Sequence, residues 1–189
     1  MNKPQTNRWS VVIAGVVILM CLGVAYSWGV FLLPIDQEMG WGRAKISFAV
    51  SILLLVFSVF MAIGGLLEKK IGPKKTACTG GALVGIGWFL AAFAQSPFIL
   101  YLCYGVIAGI GTGLSYMPSI SSGIKWFPDK KGLVTGIIVF GFGFGTAFLS
   151  PFITKLINLF GWRVTIAVCG IAFGLIITQA AQFLRAPPL

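Results

Sequence analysis

Six long apolar stretches occupy most of the chain, and none of them contains Asp, Glu, Lys or Arg. They cover residues 9–33, 46–67, 76–94, 98–124, 132–154 and 164–184. A helix of about 20 apolar residues crosses the ~30 Å hydrocarbon layer of a bilayer, and each stretch is close to or above that length. The stretches lack the period-two alternation of barrel strands. The pattern therefore predicts an all-α membrane protein with six transmembrane helices.

The charged residues lie between these stretches, and the basic ones are unevenly distributed. The chain has 14 Lys and Arg against four Asp and Glu, a net charge of +10. If the N-terminus is inside, the inner segments hold Lys3, Arg8, Lys69, Lys70, Lys74, Lys75, Lys125, Lys130, Lys131 and Arg185, whereas the outer loops hold Arg43, Lys45, Lys155 and Arg163. Because basic residues concentrate on the cytoplasmic side, we expect a multi-pass protein of the cell (inner) membrane with both termini cytoplasmic. The lipid bilayer accounts for the positive charge without a nucleic-acid partner.

The residue types that enzymes and metal sites need are scarce. The chain has no His, and its acids, Asp36, Glu38, Glu68 and Asp129, lie in loops or at the ends of the apolar stretches. Its cysteines, Cys21, Cys78, Cys103 and Cys169, are far apart and lack CxxC spacing. Metal sites need clustered ligands, and proton relays need carboxylates within the membrane. We therefore expect no enzyme activity, no catalytic residue, no metal and no cofactor.

Glycines recur at four-residue spacing within the apolar stretches, as in Gly81/Gly85, Gly105/Gly109/Gly113, Gly141/Gly145 and Gly170/Gly174. Small residues at this spacing let helix backbones approach closely. A shift of 89 residues also aligns Gly72, Thr76, Gly81 and Gly85 with Gly161, Thr165, Gly170 and Gly174. If this repeat is real, each unit has three helices, and an odd number inverts the second unit relative to the first.

Three stretches resemble bacterial major facilitator transporters of the oxalate:formate antiporter and monocarboxylate transporter type. They are Tyr26–Phe31 with its continuation to Arg43, then Glu68–Lys75, and Lys125–Gly132. The resemblance covers essentially the whole chain but only the N-terminal half of a family member. It implies that residues 1–189 form an N-terminal six-helix domain. That domain is half of a major facilitator fold, built as a 3+3 inverted repeat, with the substrate site at the midplane between two halves.

The resemblance also implies which side chains bind substrate, since the first and fourth helices line the cavity in that fold. These are Tyr26, Trp28, Ser115 and Tyr116, of which Tyr26 and Tyr116 match pocket tyrosines of the oxalate:formate type. A phenol donates a hydrogen bond to a carboxylate. The alternative for both tyrosines is an interfacial aromatic belt. The basic pocket residues of these relatives belong to the C-terminal half, so we expect this chain alone to hold an incomplete carboxylate site.

A second set of residues, Gly65, Glu68, Lys69, Lys70, Gly72 and Lys74, falls in the loop that carries the superfamily's cytoplasmic gating signature. The alternative role for this basic turn is a topology anchor on anionic lipid. The chain departs from the signature, because Lys69 occupies the acidic position and Glu68 precedes it. A shift of one residue turns a helix by about 100°, which changes the direction of the carboxylate.

The resemblance implies alternating-access transport of small organic anions, mono- or dicarboxylates such as oxalate, formate, lactate or pyruvate. The chain would supply the N-terminal half and pair with a C-terminal six-helix half. Two alternatives stay open: a half-transporter for a small solute that pairs with a second copy of itself, and a non-transporting membrane assembly partner.

Overall fold

The computed structural model describes residues 8–185, and within this range the chain forms helices and short turns without any strand. Lys3 and both ends of the predicted domain 1–189 lie outside the described residues. The elements are α1 (Arg8–Gly23), a 3₁₀ segment (Val24–Trp28), α2 (Gly29–Met39), α3 (Arg43–Ile71), α4 (Pro73–Ala91), α5 (Pro97–Leu100), a π-helical segment (Tyr101–Ala108), α6 (Gly109–Trp126), a 3₁₀ turn (Pro128–Lys130) and α7 (Lys131–Ala181). The predicted all-helical architecture is confirmed.

Four continuous helical stretches of the described chain are long and apolar enough to cross a membrane. They are Arg8–Met39, Arg43–Ile71, Pro97–Trp126 and Pro128–Ala181. The predicted span 132–154 falls within the last of these, and so does the predicted span 164–184 up to Ala181. The predicted span 76–94 corresponds to α4, which has 19 residues and lies outside this set. Its two lysines and its glycines lower its mean hydropathy.

Contacts between side chains and backbones give the relative directions of the helices. The chain from Tyr101 to Trp126 runs antiparallel to α1, since Tyr104 contacts Ala25 and Gly15 lies against Ser119. It also runs antiparallel to α4, since Gly80 lies against Ser115 and Gly87 against Ala108. Therefore α1 and α4 run in the same direction, on two sides of α6.

The long helix α7 is divided at Gly161, whose backbone angles (φ 78°, ψ 166°) are not helical. Residues before Gly161 run parallel to α1 and the 3₁₀ segment that follows it: Gly141 lies against Val16, Gly145 against Met20, and Ser150 contacts Ser27. Residues after Gly161 run antiparallel to α4: Arg163 contacts Ala92, Gly174 lies against Gly85, and Cys78 contacts Thr178. Since α1 and α4 share a direction, the two arms of α7, residues 131–160 and 162–181, run in opposite directions.

The helices pack through glycines, as the four-residue spacing predicts. A Cβ atom added at Gly23 would collide with the carbonyl oxygen of Phe142, and one added at Gly145 would collide with that of Met20. Gly85 and Gly174 lie directly against each other. The prediction that glycines bring helix backbones together is confirmed.

Candidate functional site

Two of the predicted substrate-binding residues meet on one aromatic ring. The Tyr26 ring makes an edge contact with the ring of Phe142 at a centroid distance of 5.3 Å. Tyr116 makes an edge contact with the same ring at 5.6 Å, and its own ring contacts that of Phe57 at 5.3 Å. Tyr26 is 55% exposed and Tyr116 is half-buried. We call Tyr26, Phe57, Tyr116 and Phe142 the aromatic cluster. It presents two phenols on the surface of the helix bundle.

The 3₁₀ segment that carries Tyr26 is held in place by polar contacts with α7. The Thr146 hydroxyl donates to the carbonyl oxygen of Gly23 at 2.7 Å, and Ser27 shares a hydrogen bond with Ser150 at 2.6 Å. Ser150 also donates to the Thr146 carbonyl at 2.6 Å. Because Gly23 lies directly on the Phe142 backbone, no side chain separates the two elements there. These contacts fix the rotation of the segment, with Ser27 inside and Tyr26 on the surface.

The other two predicted substrate-binding residues lie inside the helix packing. Trp28 is 3% exposed, its ring stacks on Tyr104 at a centroid distance of 3.9 Å, and its Nε1 donates to the Ile46 carbonyl at 3.2 Å. Ser115 is buried and donates to the Ala77 carbonyl at 3.3 Å. The polar groups of both side chains thus donate hydrogen bonds to backbone carbonyls of neighbouring helices. The structure brings Tyr26 and Tyr116 together and leaves Trp28 and Ser115 apart from them.

The predicted gating residues surround the turn between α3 and α4, and Glu68 differs from the rest. Glu68 is 5% exposed. Its carboxylate accepts a hydrogen bond from the Lys125 ammonium at 2.5 Å and another from the Ser121 hydroxyl, both on α6. A buried carboxylate needs such partners, because desolvation without them is costly. The Glu68 carboxylate is therefore committed to a contact within this chain.

The remaining gating residues lie at the surface of the turn or shape it. Lys69, Lys70 and Lys74 are exposed. Gly72 ends α3 with φ 88° and ψ 157°, angles that essentially only glycine adopts, and Pro73 begins α4. Gly65 lies about two helical turns before Gly72, against Met117. The turn thus presents three ammonium groups beside a carboxylate that is already paired.

Several residues of these two sites were not predicted from the sequence. Phe142 and Phe57 complete the aromatic cluster, and Lys125 and Ser121 hold Glu68. Their contacts depend on the register between helices, which composition and periodicity do not contain. The spacing of Tyr26 and Trp28 in the sequence could have predicted that Trp28 points inward. Residues two apart on a 3₁₀ or α-helix lie at least about 120° apart around the helix axis. Tyr26 and Trp28 could not face the same way.

Comparison with known proteins decides the family. The model of the Major Facilitator Superfamily matches residues 13–189. The chain belongs to the major facilitator superfamily. The resemblance inferred from the three sequence stretches is confirmed.

Individual superfamily members show the same relationship. The chain is 31% identical to the oxalate:formate antiporter of Oxalobacter formigenes over 197 residues, which cover 99% of this chain and 47% of the antiporter. It is 31% identical to monocarboxylate transporter 13 of Rattus norvegicus over 144 residues, 76% of this chain and 34% of that transporter. The inward-open structure of the xylose transporter XylE from E. coli matches 96% of this chain and 49% of XylE, with a TM-score of 0.74 and 19% identity.

This chain therefore spans about half the length, or less, of the superfamily members that it matches. The low identity to XylE supports the fold alone. The curated relatives are named as transporters. The chain is accordingly a membrane-embedded protein of a transporter family and not an enzyme.

Proposed function

We propose that this chain is the N-terminal half of a transporter for small organic anions, mono- or dicarboxylates such as oxalate, formate, lactate or pyruvate. In this proposal the helices form six spans in a 3+3 inverted repeat. The protein lies in the cell (inner) membrane with both termini in the cytoplasm. The observation that carries the proposal is the meeting of Tyr26 and Tyr116 on the Phe142 ring at the surface of the bundle.

Contacts between α4 and the second arm of α7 support the inverted repeat. Gly81 lies against Ile177, and Gly170 lies against Trp88. Adding 89 to position 81 gives 170, and subtracting 89 from position 177 gives 88, so the first pair of positions maps onto the second, as a pseudo-two-fold axis requires. Gly85 and Gly174, themselves 89 apart, touch each other where this axis would pass. The hydroxyls of Thr76 and Thr165 also make the same bond, to the carbonyls of Gly72 and Gly161.

The aromatic cluster suits one side of a carboxylate site. Two phenol hydroxyls can donate to carboxylate oxygens, and the rings of Phe57 and Phe142 keep water from their other faces. The predicted spans supply no ammonium or guanidinium group, whereas an anion in a low-dielectric cavity needs charge or several donors. We infer that a C-terminal six-helix half provides the cation, and that rocking of two halves about this site alternates access.

We propose a gating contribution for the exposed ammonium groups of Lys69, Lys70 and Lys74. Because Lys125 neutralises Glu68 within the chain, the free charge of this turn is positive. The partner surface on the second half would therefore be acidic or carry helix C-termini, which bear partial negative charge.

Uptake of radiolabelled oxalate tests the site. This chain is co-reconstituted in proteoliposomes with the C-terminal half of the Oxalobacter formigenes antiporter, and wild type is compared with Tyr116→Phe and Tyr26→Phe. Each loses one hydrogen bond to a charged group, a contribution of about 1.5–3 kcal/mol, so kcat/KM should fall by tenfold or more. Tyr101→Phe is the matched control, because that hydroxyl donates to the Lys45 carbonyl at 2.8 Å, outside the cluster. Unchanged uptake by both cluster variants would contradict this site.

A further inference from the structure

An open groove of about 470 Å³ lies between α4 and the second arm of α7. Its walls are formed by Ala82, Ile86 and Phe89 on α4 and by Ile171, Leu175 and Gln179 on α7. Ligand sites in proteins typically have about 300–1,000 Å³. The groove lies on α4 and the end of α7, whereas the aromatic cluster lies on the 3₁₀ segment, α3, α6 and the first arm of α7. It is therefore a separate site.

Glycines create the floor of the groove. Gly85 and Gly174 touch through their backbones, and Gly170 lies against the backbone of Phe89. The helices are thus in contact at the floor, while the larger side chains on either side rise above it as walls. The walls expose much of their surface: Leu175 is 60% exposed, and Ile86 and Ile171 are about half exposed. The result is an apolar channel that opens away from the bundle.

The channel matches one leaflet of a membrane in length. Along α4 its lining extends from Ala82 to Leu90, which is about 12 Å at 1.5 Å per residue. One leaflet contributes about 15 Å of hydrocarbon. On membrane-embedded helices, an exposed apolar channel of this length fits an acyl chain lying along the protein surface.

One end of the channel is basic. Lys75 is seven residues before Ala82, so it lies on the same face of α4 about 10 Å further along. Lys74 is beside it, and the antiparallel arm of α7 brings Arg185 to the same end; all three are exposed. The four acids of the chain are at positions 36, 38, 68 and 129, so neither α4 nor residues 162–185 contain any. This end of the channel is therefore complementary to an anion at the depth of the headgroups.

We propose that the groove binds one anionic phospholipid, with an acyl chain between α4 and α7 and the phosphate at Lys74 and Lys75. Basic residues beside membrane helices attract anionic lipid, and clusters between helices hold its headgroups. The site is a property of this half of the fold and does not depend on the transported substrate.

Native mass spectrometry of the delipidated full chain in detergent tests the proposal, with phosphatidylglycerol and phosphatidylcholine of identical acyl chains as probes. We expect one phosphatidylglycerol to bind at least fivefold more tightly than phosphatidylcholine, since a basic residue near the surface contributes about a fivefold preference. The double variant Lys74→Gln/Lys75→Gln should abolish this preference. The matched control Lys69→Gln/Lys70→Gln, which removes the same charge from exposed positions on α3, should keep it.

Two variants that fill the channel from opposite walls test the acyl-chain contact. Ala82→Phe and Leu175→Trp change exposed side chains, so both should leave the packing beneath them unchanged. Circular dichroism of each variant checks that its helix content equals that of wild type. Both should weaken phosphatidylglycerol and phosphatidylcholine alike by severalfold. The proposal would be overturned if wild type bound the two lipids equally, or if the Lys69/Lys70 control lost the preference for phosphatidylglycerol as fully as the Lys74/Lys75 variant. Unchanged lipid binding by both filled variants would also overturn it. So would a dimer of this chain that both filled variants dissociate, because a second copy would then occupy the groove.

Discussion

Glu68 lies inside the helix packing, where its carboxylate is held by Lys125 and Ser121 of α6. The Lys125 side chain is 44% exposed, so only one member of the pair is fully desolvated. The pair itself contributes modestly to stability, whereas an unpaired buried carboxylate is costly. Its main effect is to fix the C-terminal ends of α3 and α6 relative to each other.

Lys125→Gln should lower the free energy of unfolding by about 1–3 kcal/mol, because it leaves the buried Glu68 carboxylate without its charged partner. Thermal unfolding in detergent, followed by circular dichroism, measures the loss. The double variant Glu68→Gln/Lys125→Gln should recover most of it, since no buried charge then remains. Lys131→Gln, an exposed lysine at the same side of the bundle, is the control. Equal losses in Lys125→Gln and Lys131→Gln would show that the ion pair does not anchor these helices.

At the residue scale, resemblance to the family implied Tyr26, Trp28, Ser115 and Tyr116 as substrate-binding residues. The structure separates the two tyrosines, which meet on Phe142, from the other two, which are buried between helices. Ser115 and Tyr116 are adjacent and so lie about 100° apart on α6; the structure buries the first and leaves the second half-buried. Neither the partner of Glu68 nor the ring of Phe142 was predictable, because Ser121 and Phe142 are 53 and 116 residues away from Glu68 and Tyr26. Contacts over such distances depend on how the helices are arranged.

At the element scale, the contact between the 3₁₀ segment and α7 depends on Gly23. Gly23→Ala should destabilise the protein by about 1–3 kcal/mol, because the new methyl group overlaps the Phe142 carbonyl and forces the helices apart. Gly29→Ala is the matched control: its surroundings are open and its angles helical, so it should be neutral or stabilising by about 0.5–1 kcal/mol. Unfolding temperatures in detergent compare the two. A Gly23→Ala protein as stable as the Gly29→Ala protein would contradict the close approach.

The break in α7 gives a second prediction at this scale. Gly161→Ala should cost about 1–3 kcal/mol, since φ 78° with ψ 166° is open essentially to glycine alone. Gly136→Ala, at an open helical position in the same element, should cost nothing measurable. Chemical denaturation of both variants in mixed micelles distinguishes them. A Gly161→Ala variant that matches Gly136→Ala would mean that the two arms of α7 do not need this backbone conformation.

The hydrophobicity pattern predicted the positions of the apolar segments more accurately than it predicted the ends of the helices. The stretch 9–33 ends before Pro34, yet the helix continues through it to Met39, because a helix can extend beyond the apolar layer into polar surroundings. Lys155 and Arg163 marked a loop between residues 154 and 164, whereas the chain stays helical on both sides of Gly161. Lys155 is exposed and Arg163 pairs with Glu38 at 2.9 Å, so both charges are accommodated on helical backbone.

At the scale of the whole molecule, the proposed carboxylate site is incomplete within this chain. The two phenols of the aromatic cluster are on the surface of this chain, and the predicted spans provide no cation to join them. A carboxylate transporter built from this chain would therefore need a second domain or subunit that covers the aromatic cluster and supplies positive charge. We propose that a C-terminal half meets both needs, because a second copy of this chain would contribute more phenols and no charge within the predicted spans.

Saturable uptake of radiolabelled oxalate, formate, lactate and pyruvate into proteoliposomes tests this requirement most directly. The comparison is between this chain alone, this chain co-purified with the C-terminal half of the Oxalobacter formigenes antiporter, and empty liposomes. We predict no saturable uptake by the chain alone and saturable uptake of at least one carboxylate by the pair. Saturable uptake by the chain alone would contradict the account and indicate a self-pairing half-transporter. A stable pair without any uptake would indicate a non-transporting assembly partner.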